Sequence, residues 1–146
     1  MTIKKGTPED VDQIAFLFDL YRVFYNQKSD LKSATEFIKE RLQLQDSVLF
    51  IAIDRDGSAA GFTQLYPSFT SVGLQKIWIL NDLYVHKNYR RRGIAKELMD
   101  TATTFTKKSG RSKILLETGV NNSSAQQLYH SQGWTKENSI IYSLKV

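Results

Sequence analysis

Apolar residues change their spacing several times along the chain, and each change predicts an element. Thr2–Lys5 reads as a short first strand. Thr7-Pro8-Glu9-Asp10 then announces a helix. Thr7 can cap it, Pro8 suits the first helical position, and Asp10 completes a variant of the capping box. Val11, Ile14, Phe18, Tyr21 and Tyr25 follow at helical spacing, so this helix is expected to reach about Asn26. Leu31, Ala34, Phe37, Ile38 and Leu42 form the apolar face of a second helix. Residues 47–54 (SVLFIAID) predict a strand, Asp56-Gly57 a turn, and residues 59–66 the returning strand. Residues 67–73 read as a loop. Gln75–Val85 is long and rich in β-branched and aromatic residues, as a central strand should be.

The C-terminal half continues the alternation. Ile94, Ala95, Leu98, Met99, Ala102 and Phe105 give an amphipathic helix over residues 93–109, ended by Gly110. Residues 113–120 (KILLETGV) predict a strand. Residues 122–131 form a short helix with Ala125, Leu128 and Tyr129 inward, and 140–146 alternate as a final strand. Helices separate some strands and tight turns join others. The fold class is therefore α/β with a mixed sheet, unlike the strict strand–helix alternation of a doubly wound nucleotide-binding fold. No repeat or Pro/Gly-rich linker interrupts residues 1–146, which predicts one domain.

Composition narrows the chemistry. The chain has no cysteine, which removes disulfides, thiolate metal sites and cysteine nucleophiles. Two histidines, His86 and His130, leave little for a His-rich metal site, and no metal is expected. No apolar run approaches the ~18 residues of a membrane span, and Met1 to Lys5 does not open a signal peptide. The expectation is a soluble cytoplasmic domain with no membrane partner. Charge is uneven. Residues 1–82 carry 9 basic and 11 acidic residues, while 83–146 carry 11 and 4, within an overall charge of +5. The basic half suits an anion, either nucleic acid or a phosphorylated cofactor; a solvated basic face explains the same count.

Arg90-Arg91-Arg92-Gly93-Ile94-Ala95 lies between the predicted central strand and an amphipathic helix. A helix start offers unpaired N–H groups and the positive end of the macrodipole, a seat for phosphate oxygens. Gly93 and Ala95 permit close backbone approach, and the arginines add charge-assisted hydrogen bonds. The segment matches neither the Walker loop nor the dinucleotide glycine pattern. Taken alone, it also fits an exposed basic turn.

In its wider setting, residues 83–99 (LYVHKNYRRRGIAKELM) resemble the cofactor motif of the GNAT N-acetyltransferase superfamily, in which a strand runs into [RQ]-x-x-G-x-[GA] at the head of a helix. Residues 121–134 (NNSSAQQLYHSQGW) resemble its N-x-x-A-x-x-L-Y-x-x-x-G-[FW] segment. The order of elements matches over essentially the whole chain. The resemblance implies a mixed, mostly antiparallel sheet of six to seven strands flanked by about four helices, splayed between the fourth and fifth strands. It implies that acetyl-CoA is the co-substrate, with pantetheine along Leu83, Tyr84 and Val85 and the pyrophosphate on the N–H groups around Arg91, Arg92, Gly93, Ile94 and Ala95, with Arg90 nearby. Asn122 would bond the pantetheine arm or the 3′,5′-ADP side, although its position equally suits a plain helix N-cap.

The resemblance also implies direct attack of an amine on the thioester. Tyr129 would protonate the departing thiolate, although its spacing from Ala125 also suits an ordinary core aromatic. Asp82 and Glu117, near the ends of the splayed strands, are candidates for the base that removes the ammonium proton; structural salt bridging is the competing role. The backbone N–H of Val85 would hold the oxyanion. Residues 78–85 and Leu20-Tyr21-Arg22 resemble the diamine and small-amine branch. Asn81 stands where that branch commonly has an acidic residue, which puts polyamine specificity in doubt. Tyr21, Tyr25, Gln64, Tyr66 and Asn81 are the expected acceptor-site residues. The expected partners are a small cationic amine and, from the superfamily's habit, a second copy in a homodimer. Two other readings compete: a non-catalytic acyl-CoA-binding protein, and a basic nucleic-acid module built on Arg90 to Arg92 with Lys107 and Lys108. The second lacks the interleaved aromatics and recognition helix that nucleic-acid binding favours.

Overall fold

The computed structural model describes residues 1–146. Strands β1 (Thr2–Lys5), β2 (Val48–Ile53), β3 (Ala59–Thr70), β4 (Gln75–Val85) and β5 (Ile114–Leu115) form one sheet in chain order. The first four are antiparallel neighbours, and β5 runs parallel to β4. Helices α1 (Val11–Phe24), α2 (Leu31–Leu44), α3 (Ile94–Lys108) and α4 (Ser123–Ser131) complete the fold.

The continuous apolar run of β2 has a simple cause: both faces of the sheet are covered. Leu49 and Ile51 join Ile14, Leu17, Phe18 and Ile38 beneath α1 and α2, while Phe50 and Ala52 join Leu98, Met99 and Ala102 beneath α3. Gly61 lets β3 and β4 come together closely, because a Cβ there would lie 2.8 Å from the Tyr84 carbonyl oxygen.

The capping sequence behaves as its chemistry requires. A single 3₁₀ turn over Pro8–Asp10 leads into α1, and the Asp10 carboxylate accepts from Thr7 N at 2.9 Å and from Lys4 Nζ at 2.7 Å. A second buried carboxylate holds the chain between α1 and α2. Asp19 accepts from Ser29 Oγ at 2.6 Å, Asp30 N at 2.9 Å and Arg22 Nη1 at 3.3 Å. Burial opposes its ionisation, but these donors and the Arg22 charge outweigh that and hold it below the ordinary 3.8. Asp19→Ala should therefore lower stability by ~2–3 kcal/mol at neutral pH. The native stabilisation is present above the ordinary carboxylate value and lost as pH falls through the lowered one. Urea melts of both proteins from pH 7 to 3 check this, since the gap between them should close on acidification.

Three expectations need correction. Residues 67–70 are not loop: β3 continues to Thr70, with Pro67 opposite Trp78. The last β2 partner is Val48, opposite Leu65, so Pro67 lies where β3 has become an edge, the setting in which sheets tolerate proline. Only Ile114 and Leu115 of residues 113–120 pair with β4. Residues 140–146 form no strand, which leaves five strands rather than six or seven. Their alternation is real, but a strand needs a neighbour. The chain passes Lys113, ahead of the start of β5, at Glu137 (3.2 Å), and continues with no backbone hydrogen bond.

Candidate active site

The site originates in one extra residue. Gln64 pairs with Asp82 but Leu65 pairs with Leu80, so Asn81 is a bulge in β4. A bulge reverses which backbone groups face each neighbour. On one side of it, Trp78 N donates to Lys113 O at 3.0 Å, toward β5. On the other, His86 N donates to Ala60 O at 2.9 Å, toward β3. By alternation from His86, Leu83 and Val85 turn their N–H and C=O groups away from β3. Pairing with β5 stops at Ile79 and Leu115, so the Leu83 groups face an open gap; the Val85 N–H, farther along, also lacks a strand partner, while the Val85 carbonyl accepts from Arg90.

That gap is a cavity of about 410 Å³. Leu80, Asn81 and Leu83 form one wall, Leu116 to Gly119 the other, and Tyr129 of α4 closes a side with Tyr21 and Tyr25 of α1. Six of the residues singled out from sequence thus meet at one hollow: Tyr21, Tyr25, Asn81, Leu83, Glu117 and Tyr129. Burial raises the Tyr129 hydroxyl above its usual 10, and nearby Tyr25 adds to the rise. Thr118, which sequence reasoning missed, lines the same wall with a buried, unpartnered Oγ1. The alternation of residues 113–120 could have suggested it.

Asp82 lies behind this wall rather than on it, 3% exposed. Its Oδ2 accepts from Gln64 Nε2 at 2.6 Å and its Oδ1 from Asn81 Nδ2 at 3.1 Å. Burial raises its pKa, with the Gln64 and Asn81 hydrogen bonds opposing the rise. Gln64 and Tyr66 do not line the cavity. Fully buried Gln64 is held by Ser47 Oγ at 2.8 Å and donates to the Tyr66 hydroxyl at 3.2 Å, forming a polar chain that supports Asp82. Burial and the Asp82 charge push Tyr66 up to about 12. The Tyr21 hydroxyl donates to Asn81 O at 3.3 Å, bracing the bulge.

At the far end of β4, a turn leads to α3. Arg91 and Gly93 have positive φ, 63° and 77°, and Gly93 is the N-cap. Alternating left-handed residues fold a chain into an anion-binding nest. The backbone N–H groups from Arg91 to Lys96 donate to no protein acceptor, and open space surrounds the Gly93 Cα. Arg90 is pinned: its Nε donates to Val85 O at 3.0 Å, and its guanidinium lies 5.8 Å from the Phe24 ring and 5.7 Å from that of Tyr84. The Arg92 guanidinium lies 5.3 Å from the Tyr89 ring. Asn122 caps α4, accepting from Ala125 N at 3.4 Å, and does not line the cavity.

A bulged strand, a half-open gap and an anion nest at a helix start can be compared with known proteins. The model of the Acetyltransferase (GNAT) family matches residues 14–134. The chain belongs to the GNAT acetyltransferase family. Among GNAT relatives, the uncharacterized N-acetyltransferase YhfO of Bacillus subtilis (strain 168) is 38% identical over 97% of this chain and 95% of its own. A probable acetyltransferase of Haemophilus influenzae is 27% identical over 83% of each chain. The crystal structure of a probable acetyltransferase superposes with a TM-score of 0.93 at 36% identity, covering 100% of this chain and 98% of that one. GNAT proteins are acetyltransferases that use acetyl-CoA as co-substrate, and this chain is an enzyme of that kind. No helix is long and apolar enough to cross a membrane, and no group of three or more His, Cys, Asp or Glu gathers to hold a metal.

Proposed function

We propose that the chain transfers the acetyl group of acetyl-CoA to a primary amine of a small cationic molecule. One observation carries the reading: the open backbone groups of Leu83 and the side chain of Tyr129 border one gap, beside a buried carboxylate and on the strand that leads to the anion nest. The donors from Arg91 to Ala95 take the pyrophosphate. Leu83 pairs with pantetheine as it would with a neighbouring strand. The attacking nitrogen forms its bond to the thioester carbonyl carbon, the Val85 N–H steadies the oxyanion, and the C–S bond then breaks. Tyr129 gives its proton to the leaving thiolate.

Asp82 sets the acceptor. Its charge lies behind the wall bordered by Tyr21 and Tyr25, and it draws an ammonium while those rings supply aromatic faces. Asn81 donates to Asp82 where a second carboxylate would have repelled it. Within the small-amine branch, this single buried charge favours an acceptor with one amine near the bulge over a polyamine needing two carboxylates.

An ammonium has no lone pair, so a base must take its proton, and Asp82 is the first candidate through water. Because burial raises Asp82, the acidic limb of kcat/KM should lie above the ordinary carboxylate range, with activity lost as pH falls through it. Asp82→Asn should abolish that limb and lower kcat/KM for the cationic acceptor by ~10²-fold. If the limb persists in Asp82→Asn and disappears in Glu117→Gln, Glu117 is the base. The defining experiment follows thiol release from acetyl-CoA over a panel of primary amines; the chain has no thiol of its own to add background. Amine-dependent release supports the reading, and release that no amine stimulates overturns it.

A further inference from the structure

One polar atom of the cavity has no assigned role. Thr118 Oγ1 is buried on the wall from Leu116 to Gly119 and has no hydrogen-bond partner in the protein. The other buried side-chain atom without a partner is Gln132 Oε1, and Gln132 does not line the cavity. The Gln132 amide is engaged through its nitrogen, which donates to Lys96 O at 3.3 Å and Asp100 Oδ1 at 3.1 Å. A buried hydroxyl without a partner is a net cost to the fold, one that an apolar group of the same shape would not carry. Such a group calls for a partner that the resting protein does not supply.

Tyr129 borders the same hollow. Burial and then Tyr25 raise its hydroxyl, and the Thr118 hydroxyl beside it opposes them, yet Thr118 makes no hydrogen bond of normal geometry to the protonated phenol. The two residues are held at a fixed spacing. Gln126, one turn ahead of Tyr129 on α4, donates through Nε2 to Gly119 O at 3.2 Å and Val120 O at 3.1 Å, which ties the helix to the wall. Behind Tyr129, Trp134 N donates to Tyr129 O at 3.0 Å and its ring lies 6.2 Å from the Tyr129 ring.

Giving a proton to the leaving thiolate turns Tyr129 into a phenolate inside this hollow. No cation lines it. The titratable groups around it are Tyr21 and Tyr25 of α1 and Glu117 of the same wall, with Asp82 behind β4, and all are neutral or negative. A phenolate is a far stronger acceptor than a phenol, so a hydroxyl poised beside it gains most at the moment the proton leaves. Thr118 is the residue with a donor to spare.

We propose that Thr118 is a positioning residue for acetyl transfer, its hydroxyl donating to the Tyr129 oxygen as the proton passes to the thiolate and holding the phenolate until it is reprotonated. The Thr118 O–H bond stays intact throughout. The acceptor sheds two protons as its ammonium becomes an amide; one replaces the proton Tyr129 gave to sulfur, and the other is released to solvent. The inference rests on the acetyl-transfer reading, because it needs Tyr129 as the acid.

Thr118→Val keeps the shape and removes the hydroxyl, while Thr118→Ser keeps the hydroxyl. The Val variant should lower kcat ~10-fold, the loss of one hydrogen bond to a charged group, with acetyl-CoA affinity unchanged. Its melting temperature should not fall, since the atom removed had no partner. The Ser variant should recover most of the rate. In a Tyr129→Phe background, Thr118→Val should cost nothing further, because the hydroxyl acts through the Tyr129 oxygen. An unchanged rate in the Val variant, or an equal loss in the Phe background, would overturn the proposal. A second readout needs no turnover. With 3-fluorotyrosine in place of tyrosine the phenols become more acidic, and the ¹⁹F signal of Tyr129, assigned by its absence in Tyr129→Phe, can be titrated. It should titrate ~1 pH unit higher in Thr118→Val than in the wild type or Thr118→Ser. Equal titration in all three proteins overturns the proposal. A shifted titration in a protein that releases no thiol with any amine upholds the Thr118–Tyr129 bond and sinks the acetyl-transfer reading instead.

Discussion

Tyr129→Phe should lower kcat by ~10²–10³-fold, the loss expected when a positioned general acid is removed. Acetyl-CoA affinity should stay within about twofold, because the ring remains packed against Trp134 and the anion nest on α3 is untouched. Burial keeps the hydroxyl protonated to above its usual 10, so Tyr129 is a proton donor throughout the neutral range. Its own limb in the pH profile, where activity falls as the proton is lost, should therefore lie above pH 10. Thiol release gives kcat, and calorimetric titration of acetyl-CoA gives affinity. A variant that turns over normally would remove Tyr129 from the chemistry, and one that loses affinity in proportion to rate would make it a packing residue.

Gly93→Asp should weaken acetyl-CoA binding by ~10²-fold or more, equivalent to roughly 2.7 kcal/mol. Two causes combine. The N-cap holds φ 77°, where a side chain costs ~1–2 kcal/mol, and the carboxylate would stand beside the unpaired N–H donors to which we assign the pyrophosphate. A Cβ at Gly93 meets no atom within 4 Å, so the fold itself should survive. Gly93→Asn separates the causes, since it shares the backbone strain without the charge. Binding by the Asn variant should fall between the wild type and Asp. Equal losses in both variants would assign the effect to backbone geometry alone.

Much of this site could be read from the residues because its chemistry is local. Arg90 to Ala95 announces a helix start, and the ends of β4 follow from eleven residues of strand-forming character bounded by polar turns. What could not be read depends on distant partners. Nothing in the sequence around Asn81 marks a bulge, because a bulge is defined only against β3. Gln64 looks like a pocket polar residue until Ser47 and Asp82 are seen on either side of it. Residues 140–146 have the alternation of a strand, but whether they form one is decided by whether an edge lies within reach. Arg90 likewise reads as a free phosphate ligand, whereas Val85 O, Phe24 and Tyr84 hold it against the end of β4.

The central claim is that the gap beside β4 takes pantetheine while the start of α3 takes the pyrophosphate. Backbone amide shifts in a ¹H–¹⁵N spectrum, followed during titration with CoA and separately with ADP, test it most directly. CoA should move the amides of Leu83 and Val85 together with those from Arg91 to Ala95, and ADP should move only the second group. Binding of CoA that shifts the α3 start but leaves Leu83 and Val85 unchanged, or that shifts neither, would contradict the account.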